Sequence, residues 1–291
     1  MLKADYHVHT RLSYDGGGDL TEYCAKAEEL GLSELCVTDH LDIGCAQMEF
    51  TPHDQRVYLE QYQNACRQFP KLELRLGMEI GFRPDTHVES AMFISALPLD
   101  FVINSIHEIN DVDPYYGGYF DGKTREEAYF EYLEQVLDSL EAAYPFNVIG
   151  HIGYPERYAP YLCPCLEYRE FPDLIDAILL RTIYDGKGIE INTSTLKQLG
   201  KTMPARSIIA RYRELGGEYI TVGSDAHSPA KLGVNFADAH ELLKELGFKY
   251  ITSYREFKPE QRPIWPVKRL FRKKGFCLKM RACLGAVYRV I

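Results

Sequence analysis

The strongest constraint on the fold is a repeated local pattern. Seven short apolar stretches each run into polar residues: "ADYHVHT", "ELCVTDH", "LRLGMEI", "DFVINSIHE", "NVIGHI", "GIEINTS" and "YITVGSDAH". Helical signals separate most of them. The first helix begins at Asp19, with Glu22 at the reciprocal capping-box position, and stops at Gly31. A second begins at Thr124 with Glu127, and its apolar stripe reads as Phe130, Leu133, Leu137 and Leu140. Further helices are predicted over about 173–185, 203–215 and 236–246. Strands that alternate with helices pair in parallel, because parallel neighbours need a long crossover. So many repeats without a break in composition predict one closed barrel rather than two domains. The stretch 42–70 has helical content but few stop signals, and 110–123 reads as a long loop.

Composition narrows the class. With 291 residues, 46% hydrophobic and 26% charged, the chain has enough apolar material for a sizeable core. The net charge of −9 argues against a nucleic-acid-wrapping body. The start shows no secretory leader, and no run approaches the ~18 apolar residues needed to span a bilayer. A cytoplasmic location is expected. The eight cysteines are scattered without the paired spacing of a structural zinc site. Cys163 and Cys165, in "YLCPCLEY", lack neighbours that would complete a metal site. From Arg255 onward the chain changes character, with eleven Lys/Arg against two Glu among interleaved apolar residues. We read 1–254 as the catalytic barrel and 255–291 as a basic extension, solvated and partly docked, that balances the acidic body; docking on a membrane surface or an acidic protein partner is the less favoured alternative.

Metal-ligating side chains gather where the strands end. His7 and His9 lie two residues apart on the first strand, so both rings project from one face. Asp15 follows in the next loop, His40 closes the second stretch, and Glu79 closes the third. His107, His151, Asp225 and His227 close later ones. In a parallel α/β barrel the carboxyl ends of all strands open on one mouth. A lone strand-end histidine is more often a hydrogen-bonded core residue than a ligand. Nine ligand-type residues at one mouth are different, since six of the nine histidines are among them, while His53, His87 and His240 fall in helix or loop contexts.

Imidazole and carboxylate without thiolate suit zinc, manganese or iron. Nine ligands suit two or three divalent ions, with Glu79 a candidate bridge. Three ions set against Asp15, Glu79 and Asp225 leave a surplus of about three positive charges for an anionic substrate. A small phosphate monoester fits that surplus, and metal-assisted hydrolysis is the reaction such a site supports.

The ordered motifs "HVHT" with Asp15, "TDH", "GMEI", "SIH", "GHI" and "SDAH" resemble the polymerase and histidinol phosphatase (PHP) family over roughly residues 5–230. "GHIGYPERY" and "EINTSTLKQ" look most like its histidinol-phosphate phosphatases. The resemblance implies a distorted (β/α)7 TIM-like barrel with a trinuclear centre and hydrolysis of L-histidinol phosphate to L-histidinol and phosphate, a step of histidine biosynthesis. It implies that His7, His9, Glu79 and Asp225 surround one ion, that Glu79, His107 and His151 hold a second, and that Asp15, His40 and His227 hold a third. Attack by a metal-bridging hydroxide held by His7, His9, Glu79 and Asp225 is implied as well, with no separate general acid identified. Arg157 stands where a phosphate-binding arginine is expected. Two positions depart from the pattern: Gly153 replaces a frequent aspartate, and Lys197 stands where arginine is usual, keeping a point charge but not the bidentate fork.

Two other functions use the same features. A phosphoesterase of this family could act on another small phosphomonoester, or on a nucleotide or oligonucleotide end, although no aromatic and basic groove is evident. A non-catalytic metal-binding scaffold could instead dock through the tail. Oligomeric state has no signal in the sequence.

Overall fold

The computed structural model describes residues 2–45 and 51–264. Seven parallel strands surround the core: β1 (Ala4–Asp5), β2 (Glu34–Val37), β4 (Glu73–Gly81), β5 (Phe101–Ser105), β6 (Val148–Ile149), β7 (Gly188–Asn192) and β8 (Ile220–Gly223), hydrogen-bonded in that order. A short strand, β3 (His40–Leu41), continues the line of β2 along β4. The ring closes between its first and last strands, where Tyr6 N donates to Val222 O at 3.0 Å and His9 N donates to Ala226 O at 2.9 Å. This is the distorted seven-stranded barrel that the family resemblance implies. Its strands are buried along nearly their whole length, which is why they read as continuous apolar runs rather than alternating ones.

Helices α1 (Leu20–Leu30), α2 (Gln55–Gln68), α3 (His87–Ile94), α4 (Arg125–Asp138), α5 (Pro172–Tyr184), α6 (Leu196–Leu199), α7 (Arg206–Glu214) and α8 (Phe236–Glu245) lie in the connections. Both capping boxes form as expected, at Asp19/Glu22 and Thr124/Glu127, and Gly31 ends α1 in the left-handed conformation at φ 67°. Of the apolar stripe expected from Phe130 to Leu140, Leu133 and Leu140 are buried and Leu137 packs against the core, and only Phe130 departs. The helix buries Ala128, Tyr129, Tyr132, Leu133 and Val136, whereas Phe130 is 45% exposed. Tyrosines took the core face because their hydroxyls found partners: Tyr132 Oη accepts from Gly153 N at 2.9 Å, and Tyr129 donates to Pro164 O. Between residues 42 and 70 the only described helix is α2, and 110–123 forms a loop with one short 3₁₀ turn at Pro114–Tyr116.

A hairpin, β9 (Tyr250–Arg255) and β10 (Lys258–Pro263), covers the amino ends of the barrel strands. Tyr254 packs its ring on Phe101 at 5.2 Å, and its backbone N–H donates to Tyr6 Oη at 2.8 Å. Tyr6 Oη and Ser253 Oγ both donate to buried Glu34, which also pairs with Arg75 at 2.9 Å. Burying rings such as Phe101 and Tyr254 contributes on the order of 2 kcal/mol each. The hairpin straddles residue 254, so residues 255–264 pack on the barrel's closed end. The rest of the basic extension, 265–291, lies outside the described residues. No helix among the described residues is long and apolar enough to cross a membrane.

Candidate metal centre

At the opposite end, the strand termini bring six imidazoles together. The rings of His9 and His40, and of His9 and His227, stack at 4.2 Å. His7 lies 4.9 Å from His9 and 5.8 Å from His151, while His107 lies 5.2 Å from His40 and 5.4 Å from His151. The first loop is held in place by buried Asp39, which accepts from Thr10 N, Thr10 Oγ1 and Ser13 Oγ at 2.6, 2.8 and 2.7 Å. Ser13 Oγ in turn accepts from His40 N at 3.1 Å, tying the first two strand ends together.

Glu79 stands at the centre, 1% exposed. Its Oε2 faces His7 Nε2 at 3.1 Å, His9 Nε2 at 3.4 Å and His40 Nδ1 at 3.1 Å. Its Oε1 faces His107 Nε2 at 3.3 Å and His151 Nε2 at 2.8 Å, and accepts from Ser105 Oγ at 2.7 Å. Gly150 makes room for this contact, since a Cβ there would run into Ser105. Asp225 Oδ1 lies 3.3 Å from His9 Nε2 and 3.7 Å from His7 Nε2. Its backbone adopts φ 52°, a left-handed conformation that aspartate tolerates better than most residues and that turns the carboxylate inward. Asp15 reaches His227 Nε2 at 3.0 Å and His40 Nε2 at 3.6 Å. All nine residues predicted as ligands therefore meet at one mouth.

The donor set fits divalent cations. His7 Nε2, His9 Nε2, His40 Nδ1 and Glu79 Oε2 are buried polar atoms without a hydrogen-bond partner, although they converge within a few ångströms of one another. Groups able to hold an ion form at His7/His9/Glu79, at Glu79/His107/His151 and at His9/His40/His227, with a further one at His40/Asp42/His107. Burying polar atoms without partners costs free energy, so convergence of this kind marks a cradle for positive charge. Electrostatics agree. Burial opposes ionisation of Glu79 and Asp225, but His7, His107 and His40 around the first and Arg157 and His7 around the second hold both well below the usual carboxylate range. Burial lowers His9 to about 4 and His40 to about 3, leaving neutral rings that can ligate.

Two buried carboxylates escaped the sequence reading. Glu190 Oε1 lies 2.5 Å from His7 Nδ1, while its Oε2 accepts from His151 N at 2.8 Å. Asp42 Oδ1 lies 2.7 Å from His107 Nδ1. Each orients a ring whose other nitrogen faces Glu79. Their charges also cut the surplus of three that the sequence count suggested. Period-two spacing, Glu190 before Asn192 on β7 and His40 before Asp42, was the signal available for both.

Above the imidazoles lies a cavity of about 310 Å³, bounded by the ligand-type residues and by Tyr14, Asp113, Tyr115, Tyr116, Tyr154, Arg157 and Tyr158. Arg157 donates from Nη2 to Asp225 Oδ2 at 2.5 Å and to Ser194 Oγ at 2.7 Å. Its Nε–H is buried without a partner. Lys197 does not accompany it: the side chain is exposed on α6 and does not line the cavity. The short helix turns this position outward, and Lys201 instead pairs with buried Glu156 at 2.8 Å, bracing the segment that carries Arg157.

Comparison with known proteins places this geometry. The PHP domain family model matches residues 5–194. A histidinol-phosphatase from Lactococcus lactis subsp. lactis is 30% identical over 259 residues, covering 89% of this chain and 96% of that protein. A probable histidinol-phosphatase from Thermotoga maritima is 30% identical over 247 residues, covering 85% and 94%. The crystal structure of the histidinol phosphate phosphatase from Lactococcus lactis subsp. lactis, complexed with zinc, L-histidinol and phosphate, superposes with a TM-score of 0.81 at 29% identity, covering 89% of this chain and all of that one. With the motifs in order, the barrel closed and the relatives matched nearly end to end, the chain belongs to the PHP domain family and is similar to its histidinol-phosphatases.

Proposed function

We propose that this protein is a metal-dependent phosphoric monoester hydrolase that converts L-histidinol phosphate to L-histidinol and phosphate. The observation that carries the reading is the convergence of partnerless imidazole nitrogens and a Glu79 oxygen beneath a cavity that also holds Arg157. The relatives named for this activity, and the one bound to L-histidinol and phosphate, supply the substrate. His7, His9 and Glu79, with Asp225 beside them, would hold one ion, Glu79, His107 and His151 a second, and His40 and His227, with Asp15 beside them, a third, with zinc favoured by the Lactococcus relative. Divalent cations there would offset the negative charge on the phosphoryl oxygens and acidify water enough for attack near neutral pH.

The chain's own contribution is placement. Glu79 presents one oxygen to each of two histidine groups, and Glu190 and Asp42 fix the tautomers of His7 and His107. Arg157, tethered to Asp225 and Ser194, offers its remaining N–H groups to a phosphoryl oxygen entering the cavity. Lys197 has no part in this account. A cytoplasmic location is consistent with the six described cysteines all being free thiols. The division into a catalytic barrel and a basic extension predicts that a chain ending after Ile264, with the hairpin intact, keeps phosphatase activity.

The test is steady-state phosphate release by metal-loaded protein from L-histidinol phosphate, other amino-alcohol and sugar phosphates, nucleotides and a phosphodiester. A kcat/KM for L-histidinol phosphate orders of magnitude above the rest is expected. Flat rates, or a different preferred ester, would overturn the substrate.

A further inference from the structure

Resting on the phosphatase reading for its effect, we infer that Cys163 and Cys165 form a modification site, an exposed thiol beside its resolving partner, which hydrogen peroxide closes to a disulfide that loosens Arg157. The two cysteines flank Pro164 in the segment after β6, and both are free thiols, Cys163 exposed and Cys165 partly covered. Helix α4 grips the backbone between them. Arg125 donates from Nε to Cys163 O at 2.7 Å and from Nη2 to Cys165 O, while Tyr129 Oη donates to Pro164 O. The guanidinium is itself fixed by Glu170, to which Nη1 donates at 2.6 Å. Because Nε and Nη2 are the parallel edge of one guanidinium, the two carbonyl oxygens lie closer together than the ~6.6 Å that two residues of extended chain would put between them. A tripeptide contracted in this way, with the proline ring fixing its middle φ, brings its first and third Cα atoms within the span of a disulfide.

Peroxide meets the exposed thiol first. The Cys163 sulfur breaks the O–O bond, becoming a sulfenic acid as one water leaves; the Cys165 sulfur then attacks it, the S–S bond forms and a second water leaves. Two thiols and one hydrogen peroxide thus give one disulfide and two waters. Burial pushes the Cys165 thiol up, with the Lys201 ammonium beside it acting the other way, which suits the resolving rather than the attacking role. The same lysine ties the pair to the phosphate end of the cavity. Lys201 Nζ pairs with Glu156 Oε2 at 2.8 Å and donates to Leu166 O at 3.4 Å, and Leu166 N donates to Glu156 Oε1 at 3.0 Å. Glu156 is 1% exposed and directly precedes Arg157 in the turn Tyr154–Arg157. Closing Cys165 onto Cys163 draws its sulfur from Lys201 and pulls on Leu166, so the displacement falls on Glu156 and on the guanidinium next to it. Exposed disulfides in short rings are the readily reduced ones, so the modification is reversible.

The test treats the zinc-loaded protein with hydrogen peroxide and then with a dithiol reductant, zinc having no redox chemistry of its own. Both cysteines fall on one tryptic peptide, 158–169, so the bond appears as the loss of two hydrogens from its mass. Its effect is read as KM for the ester preferred in the substrate panel and as Kd for inorganic phosphate. The disulfide is expected, with both constants raised at least about threefold and restored by the reductant. Cys163→Ser should keep both constants under peroxide. Absence of the bond, a bond that leaves both constants unchanged, or an equal loss in Cys163→Ser would overturn the inference. Reduced protein that hydrolyses no ester and binds no phosphate would overturn the phosphatase reading and with it the effect on Arg157, whereas the peptide mass decides the disulfide in either case.

Discussion

Replacing Glu190 by glutamine isolates a residue that touches no substrate yet should set metal affinity. Its carboxylate is 1% exposed, sits 2.5 Å from His7 Nδ1 and accepts from His151 N at 2.8 Å. Glutamine keeps the shape but loses the charge. Asn192 Nδ2 donates to Glu190 as well, at 3.3 Å, so the single carbonyl of glutamine can serve one side while its amide N–H₂ turns against the donor or donors on the other, leaving a buried group unsatisfied. A charge-assisted hydrogen bond in such a site is worth about 1.5–3 kcal/mol, and loss of a carboxylate that orients a ligating histidine costs about 10–100-fold in metal affinity. The two estimates agree, since tenfold is about 1.4 kcal/mol. The assay is competition against a chelator of known affinity, read as bound metal per chain, alongside the metal dependence of phosphate release. Weaker binding by at least about tenfold is expected, with activity largely restored at saturating metal. Binding within about threefold of the parent would refute the reasoning and make Glu190 a fold element alone.

Further outcomes follow from the same geometry. Gly223→Ala would drive a Cβ into both Glu190 and His7, so it should lower metal content as Glu190→Gln does and also lower Tm; normal metal content would contradict the close packing. Asp225→Ala should abolish tight metal binding and nearly all turnover, and a metal-replete, active variant would rule out the assigned centre. Arg157→Ala should raise KM by about tenfold or more through loss of a charge-assisted phosphate contact, and an unchanged KM would remove it from substrate binding. Chelation should lower Tm, because metal bound only by the folded chain stabilises it by mass action, and added zinc should restore both Tm and activity.

The sequence was most legible where chemistry and backbone period coincide. Strand-end residues were readable because a parallel barrel collects every strand's carboxyl end on one face, whatever the details of packing. Capping boxes at Asp19 and Thr124 were readable because they are local hydrogen bonds within four residues. On α4, Phe130 was misread as a core residue and Tyr129 and Tyr132 were missed, because burial of those tyrosines depends on acceptors and donors supplied by distant segments around Gly153 and Pro164. Lys197 was misplaced for a related reason: the turn of a four-residue helix decides whether its side chain enters the cavity.

By itself, then, the sequence determined the barrel, the gathering of imidazoles and carboxylates at its mouth and the class of reaction, all of which follow from residue type at repeating positions. Only the tertiary structure decided which carboxylates orient the imidazoles, which basic residue reaches the cavity and what lines its far wall. Those depend on contacts such as Glu190 with His7, Asp42 with His107 and Asp113 with Tyr154, between residues 183, 65 and 41 positions apart. No local period encodes them, because the pairing exists only once the barrel has closed.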